Sequence, residues 1–333
     1  MKSPNPESLK LAKDIARPSA CFGVARVPGT SRAFLGNAEF QVFELDLAAA
    51  KPEAKELYKH ESYVTGVALA GNALVSGGYD GKLKWWDVQK NEPIRTTDAH
   101  AKWIRRVVAS KDGTRIASVA DDMVARLWDA KTGAMIRELK GHELRTPHDF
   151  GSMLYAVAFS HDGKLLATGD KVGHVVVWDA DTGRQLATVE TPVMYTWDKT
   201  ARLHSIGGIR SLAFSPDGKQ LAVGGMGKVG NIDHLEGKTR VEVFDWQAGK
   251  QVAEFNGDKF AGLVNVLRWA PDGKWLLAAG GAGEGHLQFY DVAAKKLLKA
   301  EKAPMHIHDV AMNEDATEFV AAGHNRVCVY KLG

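Results

Sequence analysis

Seven times along this 333-residue chain, a short apolar segment ends in an aromatic residue followed by Asp or its remnant. The segments are FELD (43–46), KWWD (84–87), RLWD (126–129), VVWD (176–179), EVFD (242–245) and QFYD (288–291), with a degenerate VCVYK (327–331) last. From Asp46 through Asp87, Asp129, Asp179 and Asp245 to Asp291 the steps are 41, 42, 50, 66 and 46 residues, and Tyr290 to Tyr330 adds 40. A period of this size means that one supersecondary unit is repeated and that neighbouring units bury each other's apolar faces. A second marker falls between the first: SKDG (110–113), SHDG (160–163), SPDG (215–218) and APDG (270–273). Asp-Gly flanked by alternating apolar residues is a hairpin signal, because Gly takes a positive φ at little cost.

Each unit therefore reads as strand a, an Asp-Gly turn, strand b, a Gly-rich turn, strand c ending in aromatic-Asp, a turn, and strand d. The segments 209–215, 219–225, 240–245 and 251–255 show the order in one repeat. No helical period of useful length interrupts it. The expected fold is all-β, with seven blades of four antiparallel strands in one propeller spanning 1–333.

On these residues the chain resembles the WD-repeat β-propeller family over essentially its whole length. Trp86, Trp128 and Trp178 keep the Trp-Asp dipeptide, while Phe244-Asp245 and Tyr290-Asp291 are drifted forms. The resemblance implies a hydrogen-bonded network in a blade: a His before strand a, a Ser or Thr on strand b, an Asp in the b–c turn and the strand-c Trp. His60, Ser76, Asp80 and Trp86 fit it in the second blade, and His100, Ser118, Asp122 and Trp128 in the third. The fourth keeps Thr168 and Trp178 but has Val172 at the Asp position, and the remaining blades depart further. The last repeat supplies only three strands (307–312, 318–322 and 326–332), and an open ring would expose an unpaired edge. Segment 8–16 resembles the strand-d segments 54–59 and 134–140, so it is expected to pair with the C-terminal blade and close the ring.

Function is sought where the chain departs from its own repeat. Three insertions stand out, 143–152 and 191–207 in d–a connections and 226–239 in a b–c connection. Strands alternate in direction, so d–a and b–c loops emerge on one face, and all three insertions crowd it on blades four and five. They carry Arg145, His148, Phe150, Tyr195, Trp197, Arg202, His204, Asp233 and His234. Trp, Tyr and Arg are the usual interface anchors, and binding residues concentrate on loops held by a rigid scaffold. The alternative is that these loops pack on one another and cap the ring. Counting back seven and five residues from the turn that ends each strand a places Trp103, Arg105, Tyr155, Arg210, Asn265, His306 and His308 at the channel rim. Arg105, Arg106 and Arg210 would make that mouth basic and favour an acidic peptide, unless blade carboxylates pair with them.

Other chemistry finds little support. Gly225-Met226-Gly227-Lys228-Val229-Gly230 matches a dinucleotide fingerprint, but that motif needs a following helix to hold the pyrophosphate, and 231–239 is too short and ends near Gly237. Segment 237–239 ends like a phosphate loop but fails its spacing. His148, Asp149, His204, Asp233 and His234 could converge on a metal, yet no paired-ligand spacing supports them. His174, His286 and His324 begin successive strand-c segments, which suits structural roles. No nucleophile elbow or placed carboxylate pair appears, so no catalytic residue, metal or cofactor is expected. Lys+Arg 43 against Asp+Glu 40 leaves +3 and no basic tail, so neither a nucleic-acid nor a membrane partner is expected. No stretch approaches 18 uninterrupted apolar residues. Two cysteines, Cys21 and Cys328, make no disulfide framework and suggest a reducing, cytoplasmic setting. The expectation is a non-catalytic scaffold binding a protein or peptide on the insertion face; the alternative is a metal or small molecule there, an enzyme included.

Overall fold

Inner strands of the repeat are near-continuous apolar runs, as suits segments covered on both sides, whereas the outermost strand of each unit alternates or is polar. Strand b of the second repeat, Ala73–Gly78, is buried almost throughout, while its strand d, Glu92–Asp98, is largely exposed. The computed structural model, which describes residues 3–333, arranges these strands as seven four-stranded antiparallel sheets in a propeller ring. Strand a of each blade is innermost and packs on strand a of the next, so hydrophobic layers fill the gaps between blades.

The ring closes as the sequence indicates. Lys10–Ala16 is the outer strand of the seventh sheet, pairing antiparallel with Arg326–Lys331 from Lys10 opposite Lys331 to Ala16 opposite Arg326. The grip reaches further than a single ladder. The Ser3 amide and hydroxyl donate to Asp272 in the Asp-Gly turn of blade 6 (3.0 and 2.5 Å), and the Trp275 indole donates to the Pro4 carbonyl (3.0 Å). Leu9 joins a core with Trp275, Phe289, Tyr330 and Leu332, so the N-terminal segment fastens blades 6 and 7 together.

This clasp gives an acid-sensitivity prediction. Partial burial alone would raise the Asp272 carboxyl, but the Ser3 hydroxyl and amide and the Lys274 amide overcome that and hold it down at about 2. A depressed carboxyl contributes stability above its unfolded value of about 3.9 and loses it as pH falls toward 2. Ser3→Ala should therefore narrow the loss of melting temperature between pH 5 and pH 2 relative to the parent. Identical acid-melting curves for the two proteins would disprove this role for Asp272.

A recurrent irregularity shapes the channel mouth. In six blades the pairing of strands a and b slips by one residue near the start of strand a, at its second residue for Phe22, Thr65, Arg105, Tyr155 and His308 and at its third for Asn265. A bulge re-aims the side chain of the extra residue. In blade 5 Arg210 takes the equivalent place just before Ser211–Phe214, its amide bonded to the Gly224 carbonyl (2.8 Å). Neighbouring members touch: Phe22 lies edge-on to His308 (5.0 Å between centroids), and Arg105 and Arg210 flank Tyr155. Below them a channel of ≈ 530 Å³ passes Arg106, Arg268 and Asp309 to the turns holding His161, Pro216 and Pro271. Cys21 and Cys328 are buried and free, their thiols pushed up to about 12, chiefly by burial.

Candidate functional site

Three blades carry the histidine network, complete with its Trp in blades 3 and 4. In blade 3 the His100 Nδ1 faces Asp122 (3.1 Å), its Nε2 meets the Ser118 hydroxyl (2.7 Å), and Ser118 also accepts from the Trp128 indole (2.9 Å). Burial lowers the His100 pKa, which keeps the ring neutral, and the Arg126 guanidinium also reaches the Nδ1 (2.6 Å). Burial would raise Asp122, but hydrogen bonds and charge from His100 and Arg126 hold it well below the usual carboxylate range.

Blade 2 repeats the His60–Asp80 (2.9 Å) and His60–Ser76 (2.7 Å) contacts, but Trp86 stands outside the network. Ser76 is approached instead by the Tyr58 hydroxyl (3.0 Å) from strand d of blade 1, Lys55–Lys59, and the Tyr58 ring stacks on Trp86 (5.0 Å). With His60 and Tyr58 on one oxygen, the indole N–H of Trp86 is left buried without a partner. In blade 4 the carboxylate is present after all, as Asp170 rather than at Val172. His142 bonds Asp170 (2.9 Å) and Thr168 (2.7 Å), and Thr168 accepts from Trp178 (2.9 Å). Thr168 and Asp170 are two apart on strand b, so both side chains leave the same face, and no residue of the turn is needed. The Gly141-His142 dipeptide was the available signal; a fixed four-residue spacing from Thr168 hid it.

The insertions do lie together. His148 stacks on Trp197 (3.6 Å between centroids), with Tyr195 on the same stack (6.1 Å from Trp197). Segment 191–207 contains a two-stranded hairpin, Tyr195–Asp198 against His204–Gly207. The third insertion joins it where the Val229 amide donates to the Thr196 hydroxyl (3.2 Å) and Arg202 pairs with Asp233 (3.0 Å). Gly225 is required by this packing, since a Cβ there would meet the Gly208 carbonyl at 2.7 Å and the Met194 sulfur at 2.7 Å. The segment after Gly225 runs into turns, not a helix, so nothing presents a helix N-terminus to a pyrophosphate. Tyr195 is buried, His148 half-buried, and Arg145 is exposed and paired with Asp149. Trp197 (46% exposed), Leu144, Val193 and Leu203 face outward, as do His204 and His234. The loops therefore pack on one another and still present apolar surface.

A second aromatic surface continues across blades 1 to 4 of the same face. Phe40, Tyr63, Tyr79 and Trp103 follow one another at ring spacings of 5.7, 5.6 and 4.5 Å, the last pair parallel and Trp103 50% exposed. Tyr79, Trp103, Lys102, Asp121 and Met153 wall a groove of ≈ 470 Å³ that ends at the first insertion. Arg105 lies among the rings of Tyr79, Trp103 and Tyr155 and makes two hydrogen bonds to Asp121 (2.7 and 2.6 Å) and one to the Tyr79 hydroxyl (2.5 Å). Arg106 and Arg268 share Asp309 inside the channel. Arg105 and Arg106 are thus each paired with a blade carboxylate.

Arg210 is not. It lies over Tyr155 (3.6 Å to the centroid), one guanidinium nitrogen is buried without a partner, and among the described residues it forms no ion pair. Lys171 follows Asp170 as Asp121 follows Ala120, and so occupies in blade 4 the place that Asp121 holds in blade 3. It is only 7% exposed, the hydrogen bond of its Nζ among the described residues is to the Gly151 carbonyl (3.4 Å), and burial followed by the Arg210 charge lowers its pKa. Where blade 3 sets Asp beside Arg, the next station sets Lys beside Arg.

The insertion histidines form no group of three metal-capable residues among the described residues; the group that does form is His306, His308 and His324. His324 therefore keeps different company from His174, which pairs with Glu190, and His286, which bonds the Leu263 carbonyl.

Comparison with known proteins places this architecture. Segments 52–87, 91–129, 133–179, 197–229 and 249–291 match the family described as WD domain, G-beta repeat. The chain is similar to nuclear distribution protein PAC1-2 of Uncinocarpus reesii, at 29% identity over 63% of this chain and 43% of the relative. It is also similar to apoptotic protease-activating factor 1 of Rattus norvegicus, at 32% identity over 47% of this chain and 12% of the relative. Subunit I of eukaryotic translation initiation factor 3 from Lodderomyces elongisporus shares 25% identity over 68% of this chain and 59% of that protein. The chain thus spans less than two thirds of each of these relatives' lengths.

Proposed function

We propose, since the chain belongs to the WD-repeat β-propeller family, that it is a non-catalytic platform which binds an acidic protein segment on the insertion-bearing face. The observation that carries the acidic preference is the Lys171–Arg210 pair. Two partly buried, mutually repelling cations are costly where no carboxylate bonds to either of them among the described residues; Asp121, whose charge does reach Lys171, is already bonded to Arg105. A carboxylate from a docked segment would supply at this station what Asp121 supplies to Arg105. The aromatic run from Phe40 to Trp103 and the Trp197 edge of the insertions would flank that contact with the large side chains that usually anchor interfaces. The relatives support a protein partner, without bearing on its charge, one of them being named as a subunit of an initiation factor. Two buried free thiols support a reducing, cytoplasmic setting as part of the same proposal.

The test is binding of an acidic peptide library, compared with its amidated counterpart, to the intact protein. Lys171→Glu and Arg210→Glu should each weaken the selected acidic peptides by at least about tenfold, and Trp103→Ala or Trp197→Ala by about 2 kcal/mol where that ring is an anchor. Added salt should weaken wild-type binding as well. His161→Ala, in an Asp-Gly turn on the opposite face, is the control. Loss of binding on changing His161 while the Lys171 and Arg210 variants bind normally would overturn the assignment.

A further inference from the structure

Three histidines meet at the blade 7 side of the channel mouth from three separate positions in the chain. His306 precedes strand a, His308 is the bulged residue of that strand, and His324 lies in the b–c turn. Their ring centroids are 4.6, 4.7 and 5.1 Å apart, and one nitrogen from each lies within 4.8 Å of the other two. His60, His100 and His142 sit in blade networks, His174 on a carboxylate and His286 on a backbone carbonyl. The His148 Nδ1 is also buried without a partner, but His148 belongs to no group of three metal-capable residues among the described residues. His308 and His324 make no side-chain hydrogen bond among the described residues, and the His308 Nε2 is buried without any partner. A buried imidazole nitrogen left unsatisfied calls for a specific explanation, an ion among the usual ones.

We propose that His306, His308 and His324 bind a divalent first-row transition metal, Zn²⁺ foremost, at the channel mouth. Imidazole nitrogen is the protein donor most suited to such ions, and three of them leave a tetrahedral ion one position for a further ligand. Zn–N bonds of about 2.0–2.1 Å put tetrahedral nitrogens about 3.3 Å apart, so the nitrogens must close by up to about 1.5 Å. His324 is exposed and free to make that movement. His306 is held in the group by Asn265, whose amide donates to its Nε2 (2.7 Å) and to the Ile307 carbonyl (2.9 Å); coordination through Nε2 would replace the first of these bonds. Arg106, whose charge reaches His308, is already paired with Asp309. Three neutral ligands leave the ion's charge uncancelled, so the fourth position favours hydroxide or a carboxylate of a molecule docked on the same face. The site stands apart from the Lys171–Arg210 pair and does not depend on that reading.

The experiment uses the full chain, stripped with a chelator and dialysed, then titrated with Zn²⁺ by calorimetry and with Co²⁺ by visible absorption. One ion per chain is expected, with a rise in melting temperature on addition of Zn²⁺. His308→Gln and His324→Gln should each weaken binding by at least about tenfold, as loss of a ligand costs no less than loss of an outer contact. The double variant His204→Gln/His234→Gln on the insertions should bind like the parent. Should His308→Gln fail to fold, the exposed His324 decides the matter, with its metal-free melting temperature as the check on folding. Absence of stoichiometric uptake by the parent, or unchanged affinity in His324→Gln, would overturn the site.

Discussion

Removing residues 1–17 is expected to abolish cooperative folding of the ring or to lower its melting temperature by more than any single substitution. The deletion takes away the whole outer strand of blade 7 and, with it, the clasp of Ser3 and Pro4 on blade 6. Burial of Leu9 and Ile15 contributes about 1.5–3 kcal/mol each, and each lost hydrogen bond about 0.5–1.5 kcal/mol. The sum is of the order of a domain's net stability, about 5–15 kcal/mol. The strand Arg326–Lys331 would also become an exposed edge, a template for pairing with other chains. Circular dichroism melting and size-exclusion chromatography report both effects. A truncated chain that is monomeric and melts like the parent would show that the ring is held by blade packing alone.

The second large effect is expected from the blade 4 network. His142→Ala leaves Asp170 and Thr168, both buried, without their shared partner. Asp170 keeps the Val172 and His174 amides on Oδ1 (3.0 Å each) but loses its partner on Oδ2, and a buried group left partly unsatisfied costs about 1–3 kcal/mol. Asp170→Ala should be costly too, because it leaves the His142 Nδ1 unsatisfied, whereas Val172→Ala should change little by comparison. Chemical denaturation of the three variants distinguishes the assignments: a Val172 change as damaging as the Asp170 change would remove Asp170 from the network. His100→Ala in blade 3 should behave like His142→Ala, lowering stability without selectively removing a binding partner, since His100 touches only its own blade network.

The repeat made the fold legible before any coordinates, because period, turn chemistry and the aromatic-Asp ending all report on the same local unit. Ring closure was legible for the same reason: a blade one strand short needs a strand, and 8–16 has the composition of one. The departures were harder. Trp86 has the right residue at the right place, yet Tyr58, from a strand of the neighbouring blade, takes its position on Ser76. Asp170 was missed because a carboxylate can reach one histidine either from a turn or from two residues along the strand, and only packing shows which route is used.

The sequence by itself determined the all-β propeller, its seven units, the closing strand and the face on which the insertions emerge, since all of these follow from local patterns and strand parity. Only the tertiary structure decided which charges at the mouth are neutralised. Asp121 beside Arg105, Lys171 beside Arg210 and three histidines from three positions in the chain are meetings set by the curvature of the ring and the bulge in strand a. The repeat register placed Arg105, Arg210, His306 and His308 at the rim, but their partners Asp121, Lys171 and His324 lie in other turns, so no local pattern marks the meetings.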